Sequence, residues 1–156
     1  MFDPQIATTG RFGTFEAIWD TGATGSVITQ KVVDHLGIAP VGLTKVDGVN
    51  SSQLSAEYLV NFVLPSAVGI RGVRVTLGKL PGDLEALIGM DIINLGDFHI
   101  SNKSGNTVMS FRVPSLEEVD YVKEWEARRR GQVPTARLGQ QQPKRRPKGR
   151  PSGKGR

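Results

Sequence analysis

Apolar residues along this chain come in short alternating stretches that end at glycine, proline or small polar residues, the pattern of strands joined by turns. From Phe12 to Ile28 two extended pieces, FGTFEAIW and SVIT, flank Asp20-Thr21-Gly22-Ala23-Thr24-Gly25, whose two glycines three apart predict a tight, irregular loop. Thr29 is placed to cap a short helix through His35, with Val32, Val33 and Leu36 facing inward and Gly37 as its left-handed stop. Residues 44–64 predict a hairpin with Ala56, Tyr58, Val60, Phe62 and Leu64 on one face and a polar tip from Gly48 to Gln53. Arg71 to Leu77 alternates again, setting Val73, Val75 and Leu77 opposite Arg74 and Thr76 as in a half-buried strand. Leu84 to Leu95 then reads as a strand, a break at Gly89 and one helical turn capped by Asp91 and ending at Gly96. Phe98 to Val113 predicts a hairpin turning at Lys103-Ser104-Gly105-Asn106, with Met109, Phe111 and Val113 on one side. Beyond Pro114, Ser115 and Glu118 have the spacing of a capping box. The helix they open would carry an apolar stripe of Leu116, Val119, Val122 and Trp125 and end in Arg128, Arg129 and Arg130, where cations suit its dipole. Tyr58 and Trp125 are expected in a core or an interface.

Composition narrows the chemistry. The 156 residues favour one compact domain, and 19 Gly with 9 Pro favour strands and turns over a helical bundle. The absence of Cys removes disulfides, thiolate catalysis and Cys-based zinc or iron–sulfur sites. His35 and His99 lack partners nearby in sequence, and neither a phosphate-binding loop nor a dinucleotide fingerprint occurs, so no metal and no cofactor are expected. Residues 1–10 carry no basic, apolar leader pattern and no apolar run approaches the roughly 20 residues that span a bilayer, so the expectation is a soluble, cytoplasmic protein without a membrane partner. The net charge of +5 is unevenly spread: residues 1–130 sum to −3, whereas the last 26 residues hold 8 Lys and Arg and no acid. That tail is Gln-, Pro- and Gly-rich with few apolar side chains, and it is expected to be disordered. Three segments follow: a domain over 1–114, an amphipathic helix over 115–131 and a basic tail over 132–156.

The sharpest chemical signal is Asp20, a carboxylate directly after the apolar Ala17-Ile18-Trp19 and before a hydroxyl and a glycine. Burying it requires donors, which Thr21 and the open amides of Gly22 and Gly25 can supply. Asp-Thr-Gly alone also fits an ordinary turn. With Ala23 and Ser26-Val27-Ile28 after it, and the second apolar-glycine element Leu87-Ile88-Gly89 further on, the order of motifs resembles the retropepsin-like aspartic proteases over about residues 5 to 114. The resemblance implies an all-β acid-protease fold of closed, barrel-like sheets with ψ loops, a flap hairpin and short helices. It also implies that Asp20 is catalytic, that Thr21, Gly22 and Ala23 support its loop, and that Leu87, Ile88 and Gly89 pack beside that loop. The hairpin between the two motifs resembles the flap, with Asp47, Gly48 and Val49 toward substrate.

Aspartic proteolysis needs two carboxylates sharing one proton. The chain holds one Asp-Thr-Gly, with no second copy at Asp34, Asp47, Asp83, Asp91 or Asp97, so a competent site requires a homodimer acting on an extended polypeptide. Thr24-Gly25 and Met90-Asp91 stand where retroviral members carry an ion pair, and Trp19 is bulkier than the usual aliphatic residue. Asp91 itself is expected to be a helix N-cap. In the tail, Arg145, Arg146, Gly149, Arg150 and Pro151 resemble an imperfect AT-hook, although general salt-sensitive attraction to nucleic acid explains the same charges. The competing reading is a non-catalytic peptide-binding or assembly module of the same fold, with the tail attracting nucleic acid.

Overall fold

A computed structural model of the chain describes residues 4–8, 10–47, 52–65 and 68–131. These fall into two compact units that divide between Glu117 and Glu118.

The first unit is mostly strand. β1 (Gln5–Ala7) and β2 (Phe12–Thr14) form a small hairpin, and β3 (Ala17–Trp19) leads to the Asp20 loop. β4 (Val27–Ile28) leaves that loop and enters helix α1 (Gln30–Leu36), whose Val32, Val33 and Leu36 are buried. The chain stops the helix at Gly37 with φ 60°, a left-handed conformation that glycine adopts without steric cost. Thr29 occupies the N-cap position as expected, but its side chain makes no capping bond. Its Oγ1 is instead buried without a hydrogen-bond partner among the described residues.

β5 (Gly42–Asp47) and β6 (Ser52–Val63) form the long hairpin, registered from Gly42 opposite Glu57 to Asp47 opposite Ser52. Ser52 and Gln53, expected in the polar tip, are already paired strand residues. β7 (Gly69–Leu77) runs antiparallel to β6, and its register shifts between the pairs at Val60 and Phe62. The Gly72 N–H donates to Asn61 Oδ1 at 2.9 Å beside that irregularity. Tyr58, Val60 and Phe62 of β6 point into the core with Val73 and Val75 of β7, as alternation predicts. β8 (Ala86–Ile88) completes a sheet ordered β2-β1-β6-β7-β4-β8-β3, with β5 on β6 beside β1. Helix α2 (Met90–Ile93) follows β8 and buries Ile92 and Ile93. The mainly β architecture expected from the sequence is what the strand pairing forms.

β9 (Asp97–Lys103) and β10 (Asn106–Arg112) pair as a separate two-stranded sheet. Ser104 and Gly105 both have positive φ, 56° and 81°, which matches the right-handed twist of the strands they join. Glycine is required close by for another reason: a Cβ on Gly96 would collide with the Arg112 carbonyl.

The second unit holds α3 (Tyr121–Arg129). The expected capping box at Ser115 and Glu118 does not form: Asp120 is the N-cap and accepts from the N–H groups of Val122 and Lys123 at 2.9 and 3.0 Å. Ser115 is engaged elsewhere, with its hydroxyl donating to Asp97. Because the helix begins at Tyr121, Leu116 and Val119 lie outside it and the predicted stripe is not continuous. No α3 residue is buried, and Trp125 is exposed with the Arg129 guanidinium 4.7 Å from its ring centroid.

Candidate active site

Two strands joined by the Asp20 loop are held apart by a third, which is the ψ arrangement expected from the sequence. β8 lies parallel to β3, with Trp19 opposite Ile88, and antiparallel to β4, with Val27 opposite Leu87. The ladder continues one residue past β3, because the Asp20 N–H donates to the Ile88 carbonyl at 2.9 Å. The backbone of Asp20 is therefore fixed by the sheet while its side chain stands at the open strand end. Asp20 Oδ1 accepts the Gly22 N–H at 2.8 Å, closing an Asx-type turn, and the Ala23 N–H donates to the Asp20 carbonyl at 3.3 Å. Asp20 is half-buried, and Oδ2 makes no hydrogen bond within the described residues. Thr21 and Gly22 are exposed at the loop's crest.

The second motif supports this loop from beneath. The Met90 N–H donates to the Ala23 carbonyl at 2.8 Å and the Asp91 N–H to the Thr24 carbonyl at 3.2 Å. Gly89 is buried so close to the loop that a Cβ there would lie 2.7 Å from the Gly25 carbonyl and 3.0 Å from the Ala23 oxygen, tighter than real packing allows. Ile88 and Gly89 are thus brought against residues 20–26, while Leu87 pairs with the flanking Ile18 and Val27.

Asp91 departs from its expected role. The N-cap of α2 is Gly89, and Asp91 is the second helical residue, turned toward the loop. Its Oδ1 accepts the Ser26 hydroxyl at 2.7 Å and the Ile92 N–H at 3.0 Å, while Oδ2 accepts the Ser26 N–H at 3.1 Å. Ser26 is only 1% exposed, and its Oγ also accepts the Gly89 N–H at 3.1 Å. The sequence places Ser26 in the motif's context but gives it no role. Its only local mark is a hydroxyl at the mouth of an apolar strand, since its partner lies 65 positions away.

Behind Asp20, the Trp19 ring packs on Phe98 and Phe111, with centroids 5.3 and 5.0 Å away. The base of the same hairpin is fixed by Asp97, which accepts from the Ser115 hydroxyl, the Leu116 and Glu117 N–H groups and the Arg112 guanidinium. Those donors, the Ser115 hydroxyl foremost, hold the Asp97 carboxyl far below the usual carboxylate range.

Other expected site residues are less informative. Asp47 ends β5 opposite Ser52, whereas Gly48 and Val49 lie outside the described residues. Arg145, Arg146, Gly149, Arg150 and Pro151 lie outside them too. His35 sits 3.3 Å from the Phe12 carbonyl and edge-on to Phe15, at home in ordinary packing. Among the described residues no three His, Asp or Glu side chains converge as a metal ion requires, and no helix is long and apolar enough to cross a membrane.

The Asp20 loop, β8 and Gly89 form one hydrogen-bonded arrangement. A family model for aspartyl proteases matches residues 7–92, more than half of the chain, reaching from β1 into α2. The chain belongs to the aspartyl protease family. Among solved structures, a retropepsin-like aspartic protease from Rickettsia conorii is similar at 18% identity and a TM-score of 0.45, covering 64% of this chain and 75% of that one. The protease of Simian Foamy Virus (mac) is similar at 14% identity and a TM-score of 0.44, covering 60% and 90%. The comparison with curated proteins finds no match.

Proposed function

We propose that this chain is an aspartic endopeptidase that works as a homodimer on extended polypeptides, with Asp20 of each copy forming the catalytic pair. The observation that carries this reading is the state of Asp20: one carboxylate oxygen is held by the Gly22 N–H, and the other makes no bond within the described residues. A second carboxylate set against the free oxygen shares one proton with it, because two like charges at hydrogen-bond distance cannot both be ionised easily. The ionised member takes a proton from water as the water oxygen attacks the scissile carbonyl carbon. The protonated member donates to the carbonyl oxygen, and the proton taken from water then passes to the leaving amine nitrogen. Thr21, Gly22 and Ala23 hold the loop and lie against substrate, while the β5–β6 hairpin, with Asp47, Gly48 and Val49 at its tip, closes over the peptide and excludes water.

Asp20→Asn keeps the Oδ1 acceptor for Gly22 but removes the ionisable pair. It is expected to abolish cleavage of a randomised peptide library, read by mass spectrometry, without lowering the melting midpoint. Cleavage retained by the purified variant would refute the assignment, and peptide capture unaffected by the change would favour a binding module. The basic segment 132–156, with 8 Lys and Arg and no acid, adds non-specific attraction to nucleic acid. Its removal should cost retention on a nucleic-acid column in a salt gradient; undiminished retention would remove the tail from the account.

A further inference from the structure

We infer that Asp91 is a positioning residue for Asp20, acting through Ser26, an assignment that rests on the catalytic reading of Asp20. The two carboxylate oxygens take three donors, the Ser26 hydroxyl, the Ser26 N–H and the Ile92 N–H. The Ser26 hydroxyl in turn accepts from Gly89. One side chain thereby ties the far end of the loop, the exit of β8 and the first turn of α2. The residue preceding Gly89 is Ile88, whose carbonyl holds the Asp20 N–H at 2.9 Å. Both ends of the Asp20 loop therefore hang from the two-residue stretch Ile88–Gly89 at the end of β8, and Asp91 sets how far apart they stand.

A carboxylate suits this place for a definite chemical reason. All three partners are donors, so the group needs acceptors only, which an ionised Asp supplies and an Asn does not. In Asp91→Asn the amide NH2 must face either the Ser26 N–H or the pair formed by the Ser26 hydroxyl and the Ile92 N–H, and each arrangement sets donor against donor. Ser26 is buried, so its donors find little water to replace a lost acceptor. Displacement of the loop by a fraction of an ångström then separates the paired carboxylates, whose geometry must hold to within about 0.5 Å for reaction.

The test uses Asp91→Asn, Ser26→Ala and their combination in the full chain. Each single change is expected to lower kcat about 10- to 100-fold with KM altered less than about threefold. The double variant should be no worse than the more damaging single one, because both break one connection. A second readout is independent of activity: in an Asp20→Asn background the amide resonances of Gly22 and Gly25 should shift when Asp91 or Ser26 is changed. Unchanged kcat in both folded variants, or losses that multiply in the double variant, would overturn the positioning role. If Asp91→Asn fails to fold, Ser26→Ala decides alone, since it deletes a single oxygen. If Asp20→Asn retains cleavage, the proposed function falls, while the glycine resonances still judge whether Asp91 holds the loop; unmoved resonances would refute it.

Discussion

Asp20 could be singled out from sequence because its surroundings are local: an apolar strand before it, and a hydroxyl and glycines directly after it. The neighbours that hold it were less accessible. Gly89 was legible as a break in an apolar run, but the reason it must be glycine, a carbonyl of residue 25 within 2.7 Å of where a Cβ would stand, is a fact of tertiary packing. Asp91 fits an N-cap by local spacing, and only the position of Ser26 shows why it turns to the loop instead. Thr29 shows the opposite failure, since it holds the N-cap position and leaves its hydroxyl buried without the bond its residue type favours. Each of these outcomes turns on what a long-range contact offers a polar group, and sequence spacing does not encode that.

At the scale of elements, the strands were legible where period-two alternation coincided with turn chemistry, most plainly at Ser104-Gly105 between β9 and β10. The start of α3 was not, because two competing caps lie five residues apart and Asp97 captures the Ser115 hydroxyl that the earlier one needs. That capture fastens the base of the β9–β10 hairpin to residues 115–117, and the same hairpin carries the Phe98 and Phe111 rings that pack behind Trp19. The connection has a pH dependence whose sign follows from the lowered Asp97 carboxyl. A group whose folded-state pKa is depressed stabilises the fold above its unfolded value, about 4 for Asp, and loses that contribution as pH falls further. The melting midpoint of the wild type should therefore drop more steeply from about pH 5 to about pH 2 than that of Asp97→Asn, which should be the less stable protein at pH 6. Equal slopes for the two proteins would show that Asp97 does not hold this junction.

For the whole molecule, charge and stoichiometry matter most. Residues 1–130 are mildly acidic at −3, and the surplus of cations lies in the last 26 residues, so the overall +5 describes neither part. One chain supplies one Asp-Thr-Gly loop, so the proposed reaction, which needs two carboxylates, would take the second from another copy. The single motif motivates that proposal but says nothing of the surface it would need, because an interface is a property of two folded copies. The most direct test is to mix wild type with Asp20→Asn at constant total concentration, allow the copies to exchange, and follow the initial rate of peptide cleavage. If both Asp20 carboxylates are required, activity falls with the square of the wild-type fraction, to about a quarter in an equal mixture. A linear fall, to about a half, would mean that each copy works alone and would contradict the shared catalytic pair.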